Sequence, residues 1–447
     1  LRIVIPVTGS RGDVQPYLAL GKGFRAAGHE VRIATHADFG TAVLGQGLEF
    51  VEIAGSSRAL HSGEAARRMT GAGRNFVAYV RELVRMREPL MHDLMARCAA
   101  TCHGADFVIL SPTTLLLGLS AAEKWGLPFC ITSFQPTAPS RHLANCLLPE
   151  VPAWLPGRGT YNYLSHLLAG GCLWTFLRPL INRARREVLD LPPFPLLGPP
   201  VALFETTPTL AAYSPRVIPR PPDWGDNQHV TGYWFLDAAP EWRPPAALAD
   251  FLAAGPPPVC VGFGSMSDGD AEQATDVVGK ALAATGGRAV LLTGWGALSP
   301  AANSDRLFVA EATPHDWLFP RTAGVIHHGG AGTAGAAFRA GVPSLVVPFA
   351  GDQFLWGRRV FALGVGPRPV PRHKLSVERL TEALRALTGD AAMRGRAADL
   401  GEAIRGEDGV GNAVRLVCAQ MCGERRPADP RAPWPREDRA DAVALTP

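Results

Sequence analysis

A carboxylate, an amide, two adjacent histidines and a glycine-rich turn fall within one short stretch, residues 322–357, TAGVIHHGGAGTAGAAFRAGVPSLVVPFAGDQFLWG. The turn, His327-His328-Gly329-Gly330-Ala331-Gly332-Thr333, lacks bulk, so backbone amides at the start of a following helix can approach an anion closely. A phosphate is the natural guest. Gly351-Asp352-Gln353 follows the next apolar run and lies at the carboxyl end of a strand, where open α/β sheets bind ligands. A carboxylate accepts hydrogen bonds from hydroxyls and an amide donates or accepts, so this pair suits a sugar.

The elements that must position these groups are legible around them. Apolar runs at 323–326 and 344–349 read as buried strands, and the Ala-rich 333–340 reads as a helix stopped by Gly341. Two chemistries compete for this unit. Gly330-x-Gly332-x-x-Gly335 with Asp352 beyond it matches a dinucleotide fingerprint, which would make an NAD-dependent oxidoreductase. A nucleotide sugar is favoured instead by the paired histidines that open the turn and by the late position of the unit, after other strand–helix material.

With 447 residues the chain has room for two domains of about 200 residues each. A net charge of +4 and the lack of long single-sign runs argue against nucleic acid as a partner. Residues 1–7 read as a strand rather than a signal peptide, and no unbroken apolar run reaches a membrane span, so a soluble, cytoplasmic protein is expected. Cys98, Cys102 and His103 form half of a zinc spacing without a second half, and reduced thiols are the expectation.

Taken in order, residues 1–7 form a strand, Gly9-Ser10-Arg11-Gly12-Asp13 a tight turn, and 14–27 a helix with Tyr17, Leu20, Phe24 and Ala27 on one face. Strands at 31–35 and 48–53 make the first 55 residues a βαβαβ unit. A mobile loop is expected over 55–74, a helical stretch over 75–102, a strand at 107–110, a helix at 115–125 and a strand at 129–133. From 134 to 200 the pattern loosens into Pro-punctuated, aromatic and leucine-rich sequence. It reads as helices on the sheet, or as an apolar acceptor pocket or a surface touching a membrane through its arginines. A Pro-rich stretch at 214–225 reads as a linker, after which the strand pattern restarts at 258–263 with a second glycine-rich turn at 262–266. The expected division is 1–213, a linker at 214–225, 226–405, a helix at 406–422 that crosses back to the first domain, and a disordered tail over 423–447.

With both turns located, the chain resembles GT-B glycosyltransferases of family 1, and more narrowly the sterol 3-beta-glucosyltransferases and bacterial natural-product glycosyltransferases. The resemblance is carried, in order, by residues 9–17, 213–215, 219–224, 231–234, 262–266, 314–319, 327–333 and 348–356. It implies an α/β fold of two Rossmann-like domains facing each other across a cleft. It further implies an inverting transfer of a hexose from UDP-glucose or a dTDP-sugar to a hydroxyl of an apolar acceptor such as a sterol, triterpenoid or polyketide, with no cofactor and no metal. His328 matches the family's phosphate-contacting histidine, with Gly330, Gly332 and Thr333 completing the cradle; Ser265 and Ser10 are placed to meet the phosphates from either side. Asp352 and Gln353 match the pair that holds the sugar hydroxyls. Arg11, Gly12, Gly264, Trp295 and Val309 complete the expected donor set, with core packing equally open to Trp295 and Trp317. Plant members carry a ribose-binding glutamate where this chain has Ala336, which leaves the nucleotide open.

Asp13 occupies the slot of the plant members' histidine base. An ordinary Asp, pKa about 3.9, is a weak base toward a hydroxyl, so it would act late, as the proton leaves in the transition state. Its structural alternative is an N-cap. Asp268-Gly269-Asp270, which mimics a metal-binding motif, reads as helix capping, and His327 as a packed histidine. A sugar-nucleotide epimerase and a silent GT-B partner protein complete the set of alternatives.

Overall fold

The computed structural model describes residues 1–58, 68, 76–152, 154–198, 200–264, 266, 271–294, 298 and 303–423. Two parallel sheets organise them. The first contains β1 (Arg2–Pro6), β2 (Glu30–Thr35), β3 (Glu49–Glu52), β4 (Phe107–Leu110), β5 (Phe129–Ser133), β6 (Thr209–Ala211) and β7 (Gln228–Val230), in the order β3-β2-β1-β4-β5-β6-β7. The second contains β8 (Val259–Gly262), β9 (Ala289–Leu292), β10 (Leu307–Ala310), β11 (Gly324–His327) and β12 (Ser344–Val346), in the order β10-β9-β8-β11-β12.

Helices cover both faces of each sheet, which is why the central strands read as unbroken apolar runs. Alternation assigns their residues to opposite layers: Ile3 and Ile5 enter one core cluster, Val4 another. Val259 and Val261 likewise part from Cys260 in the second sheet.

Helix α1 (Arg11–Ala26) buries Tyr17, Leu20 and Phe24 on β1. The stretch at 134–200, loose in sequence, contains a single 32-residue helix, α2 (Arg158–Leu189), which runs through Pro179. Leu177, Leu180, Ile181 and Ala184 pack it on the first sheet. By length and composition it alone among the described helices reaches a membrane span. Arg185, one of the arginines of this stretch, is not a surface cation: it is 1% exposed and donates to both Glu123 oxygens at 2.9 Å. Its guanidinium stacks 3.7 Å over Phe194 and so fastens the following loop.

The domain boundaries differ from the expected ones. Gln228–Val230 pairs in parallel with β6, so the first domain runs past residue 230 rather than ending at 213. The Pro-rich 214–225 is a packed crossing: Val217, Ile218 and Trp224 share a core cluster with Leu355, Trp356 and Val360 of the second domain. Arg359 Nε donates to Val217 O at 2.9 Å, and the Ser214 hydroxyl donates to Glu407 Oε1 at 2.6 Å. A three-residue strand among prolines is too short to show a period, which is why sequence pattern misplaces it. At the far end the last described helix, Gly409–Gly423, inserts Ala413, Val414 and Val417 into the core beside α1. Gly23 admits it, since a Cβ there would lie 2.3 Å from Val410 Cγ1. His29, next to the same helix, has its pKa lowered by burial and then by the N-terminal amine, so it is not the helix-end cation its position suggests. Most of the 55–74 loop and the tail from 424 lie outside the described residues.

Candidate active site

Open α/β sheets bind ligands where strand order reverses. In the first sheet that point lies between β1 and β4, and in the second between β8 and β11. The sequence-predicted turns leave β1, β8 and β11 at these two crevices. The fourth turn, after β4, escaped sequence reading: Ser111, Thr113 and Thr114 form a hydroxyl cluster there, and Thr113 Oγ1 accepts from Thr8 N–H at 3.2 Å.

Asp13 stands in the first turn of α1, and it is not the cap. Ser10 is the N-cap, and Asp13 Oδ2 accepts from both its N–H (2.7 Å) and its hydroxyl (2.9 Å). Ser10 is therefore committed to the carboxylate rather than offered to a phosphate. The turn depends on Gly9, whose φ of +118° suits glycine and whose missing Cβ would lie 2.5 Å from Asp13 Oδ2. Gly12 is less constrained, since a Cβ there would meet only Ser10 Oγ at 3.6 Å.

At the second crevice the helix expected at 333–340 begins two residues earlier, as Ala331–Ala340, with Gly330 as N-cap. The amides of Ala331, Gly332 and Thr333 thus belong to the first turn, where a helix has no intrahelical acceptor for them. Gly332 is exposed with open space around it. His328 lies over this turn: a Cβ on Gly330 would be 2.5 Å from its Nε2, and one on Gly264 would be 3.2 Å from its Cε1. Both glycines are needed for the imidazole to lie between the two turns.

His327 is fully buried and packed, its Nδ1 accepting from Gly329 N–H at 3.1 Å. His315, which sequence reading left without a role although it stands in the quoted 314–319 motif, joins the group and stacks on Phe319 with centroids 4.3 Å apart. Burial pushes all three imidazoles down, to about 4 for His315 and His328 and about 3 for His327. For His315 the next contributors are Arg11, from the first domain, and His328. These histidines are accordingly neutral near pH 7, and His328 Nδ1 and His327 Nε2 are buried with no partner among the described residues.

Asp352 stands at the N-cap position of the helix Gln353–Ala362 without a side-chain capping bond, and its Oδ2 accepts instead from Trp356 Nε1 at 3.1 Å, a partner one helical turn away. Burial raises its pKa to about 6; Trp356 opposes the rise and the charge on Asp13 adds to it. Gln353 is buried, and its Oε1 accepts from Phe349 N–H (2.7 Å) and Ala350 N–H (3.2 Å). Its amide hydrogens remain to donate, while Asp352 Oδ1 remains to accept. The two side chains are complementary rather than redundant toward a polyol.

Both domains hold the connection at Leu236 and Asp237. Gln15 Nε2 in α1 donates to Leu236 O at 3.2 Å, and Arg339 in the Ala331–Ala340 helix pairs with Asp237 through both guanidinium nitrogens. Gly335, the third glycine of the fingerprint, faces Tyr233: a Cβ there would lie 2.7 Å from the ring. In a dinucleotide site that glycine serves helix–strand packing within one unit. Here it serves the contact between domains, and Asp352 starts the following helix instead of ending β12.

Not every predicted residue joins this cluster. Ser265, Trp295, Asp268 and Asp270 lie outside the described residues. Val309 sits in β10, two strands from β8, with its N–H given to Asn303 Oδ1 at 2.8 Å, and it packs partly into the second core. Trp317 packs edge-on to Trp242 with centroids 5.4 Å apart. Ser111 and Thr113 are residues that sequence reasoning left out, and Gly9, His315 and Trp356 stood in its motifs without a role of their own. Only the i, i+4 spacing of Asp352 and Trp356 could have signalled one of them.

Comparison with known proteins agrees with this arrangement. Residues 3–142 match the glycosyltransferase family 28 N-terminal domain, and residues 302–408 match the erythromycin biosynthesis protein CIII-like C-terminal domain. A sterol 3-beta-glucosyltransferase of Arabidopsis thaliana is 34% identical over 423 residues, covering 93% of this chain and 67% of the relative. One from Aspergillus fumigatus is 35% identical over 93% of this chain but only 30% of its own length, so the chain spans from about two thirds to less than a third of these relatives. The crystal structure of the glycosyltransferase VinC in complex with DTDP superposes with a TM-score of 0.62 at 20% identity, covering 95% of this chain and 100% of that one, which shows the shared GT-B fold. The alignment with the plant enzyme, spanning both crevices and the crossing between them, places the chain in the sterol 3-beta-glucosyltransferase family of GT-B glycosyltransferases.

Proposed function

We propose that the chain transfers a hexose, glucose in the first instance, from a nucleoside diphosphate sugar to a hydroxyl of an apolar acceptor, with inversion at the anomeric carbon. What supports this reading is that the charge of Asp13, in one domain, helps to raise the pKa of Asp352, in the other, as a base and a sugar-binding carboxylate facing one cleft would. Asp13 Oδ2 is held by Ser10, leaving Oδ1 to take the acceptor's proton. The acceptor oxygen attacks the anomeric carbon, the bond to the diphosphate breaks on the opposite face, and the negative charge passes to the leaving group. Amides of Ala331, Gly332 and Thr333, a neutral N–H of His328 and the guanidinium of Arg11 would receive that charge. UDP and dTDP are the candidate carriers, the latter supported by the DTDP in the VinC structure and the sugar and sterol by the names of the relatives. The reaction so written needs no resident cofactor.

The test is a panel of sterols, triterpenoids and macrolides with UDP-glucose and dTDP-glucose, with product identified by mass and its anomeric configuration by NMR. A β-glucoside from an α-linked donor is expected. An α-product would overturn the single displacement, and NADH binding without nucleotide-sugar binding would overturn the reading altogether.

A further inference from the structure

Asp13 does not set its own direction. Its Oδ2 accepts from the N–H of Ser10, and that N–H shares one planar peptide group with the carbonyl of Gly9. In a trans peptide the two bonds point opposite ways, so whatever fixes the Gly9 oxygen also fixes the hydrogen that Asp13 receives. A turn built on glycine has little stiffness of its own. This one is tied from outside: Ser57, 0% exposed, donates its hydroxyl to Gly9 O at 2.5 Å.

Ser57 is anchored in turn. It follows β3, and its N–H donates at 2.5 Å to Oδ2 of Asp38, which lies in the short helical turn Ala37–Phe39 after β2. The same oxygen accepts the Ser56 hydroxyl at 3.0 Å. The carboxyl ends of three neighbouring strands, β3, β2 and β1, are thereby joined in one line of hydrogen bonds from Asp38 through Ser57 and the Gly9–Ser10 peptide to Asp13. Donation to the Gly9 carbonyl also polarises that peptide and strengthens the N–H that faces the carboxylate. Arg58, the next residue, lies 4.0 Å from Glu311 of the second domain, but both side chains are exposed and such a pair contributes little. The buried hydroxyl, rather than the surface ion pair, holds the turn.

We propose that Ser57 is a positioning residue for the transfer reaction: through the Gly9–Ser10 peptide it holds the Asp13 carboxylate in the orientation from which a proton is removed, and Asp38 holds Ser57. The effect on turnover rests on Asp13 as the base, the reading given above; the hold on the Ser10 amide does not.

The test is a double-mutant cycle between Ser57→Ala and Asp13→Asn, read with UDP-glucose and cholesterol, together with NMR of the Ser10 amide. Ser57→Ala is expected to lower kcat about tenfold and to change donor KM by less than about twofold. Ser57→Thr, which keeps the hydroxyl, should recover most of the loss. In the Asp13→Asn background Ser57→Ala should cost less than about a further twofold, because residues acting through one group are not additive. A merely structural defect would lower both backgrounds alike. Asp38→Ala, at an exposed position, is expected to give a smaller loss with the same lack of additivity, and thermal melts verify that each variant is folded. The sequence joins Gly to Ser at 9–10, 55–56 and 264–265, so isotope labels on the glycine carbonyl carbon and the serine nitrogen leave few signals, and that of Ser10 is assigned by its absence in Ser10→Ala. Its proton should move upfield and exchange faster in Ser57→Ala. Full additivity in the cycle, or an unchanged Ser10 amide in Ser57→Ala, overturns the proposal. Equal turnover of wild type and Asp13→Asn with a shifted Ser10 amide counts against the base while supporting the hold of Ser57 on the turn.

Discussion

Ser10 directs both its amide and its hydroxyl to one oxygen of Asp13, at 2.7 and 2.9 Å, so the carboxylate is oriented by the residue that starts its own helix. This closes one oxygen to the substrate and leaves the other open, as the proposed proton acceptor. Asp13→Asn keeps the shape and loses the base, and turnover is expected to fall by about 10²- to 10⁴-fold. Ser10→Ala removes one hydrogen bond to a charged group, and a loss of about tenfold is expected. Equal turnover of wild type and Asp13→Asn in single-turnover assays would remove the base from Asp13.

Asp352 supplies a pH signature. Its pKa is raised from 3.8 to about 6, so the folded chain holds this proton more tightly than the unfolded chain does. Its contribution to folding is complete below pH 3.8 and lost as the pH rises through about 6. Asp352→Asn retains one acceptor for Trp356 Nε1, and at pH 8 it is expected to be more stable than wild type by on the order of 1–2 kcal/mol. It should at the same time bind the donor sugar poorly. Donor KM in the wild type should rise as the pH falls below about 6. A variant less stable at pH 8, by denaturant titration, would contradict this.

His328 should report phosphate binding. Its pKa, lowered from 6.5 to about 4 by burial, makes the neutral ring the folded state's preference, and the associated stability is present above pH 6.5 and lost as the pH falls through about 4. An anion beside the ring favours its charged form. NMR titration of the imidazoles should therefore show His328 shifting its midpoint upward when UDP or dTDP is added, and His327 shifting less. An unchanged midpoint would place the diphosphate elsewhere.

Arg11 lies close enough to His315 to lower its pKa, although the two belong to different domains. Arg11→Ala is expected to raise donor KM by about tenfold, an effect that shrinks with added salt, while leaving the fold intact because the side chain is exposed. A salt-independent change, or a change in acceptor KM alone, would argue against a cross-cleft contact with the donor.

Gly335→Ala separates the two readings of the fingerprint. A Cβ 2.7 Å from Tyr233 must push the domains' contact apart, at about 1–3 kcal/mol. A lower melting temperature together with weaker binding of both substrates is expected. An unchanged melting temperature would show that the contact is absent in solution.

The local groups were legible in the sequence because their physics is local. A turn without side chains before a helix leaves its amides open wherever it occurs, an Asp–Gln pair after a strand is polar toward hydroxyls, and the alternation of Ile3, Val4 and Ile5 marks a strand covered on both faces. Helices on the sheet were one reading of 134–200, but their fusion into the single 32-residue α2 was not legible, since Gly170, Gly171 and Pro179 weaken its local propensity and the core restores it. The extra strand β7 was not legible either, since three residues carry no period and only pairing with β6 makes them a strand. Tertiary structure alone decided that the three histidines are neutral and that Gly335 meets Tyr233. Each of these depends on burial or on a partner from a distant part of the chain, and neither can be read from spacing along it.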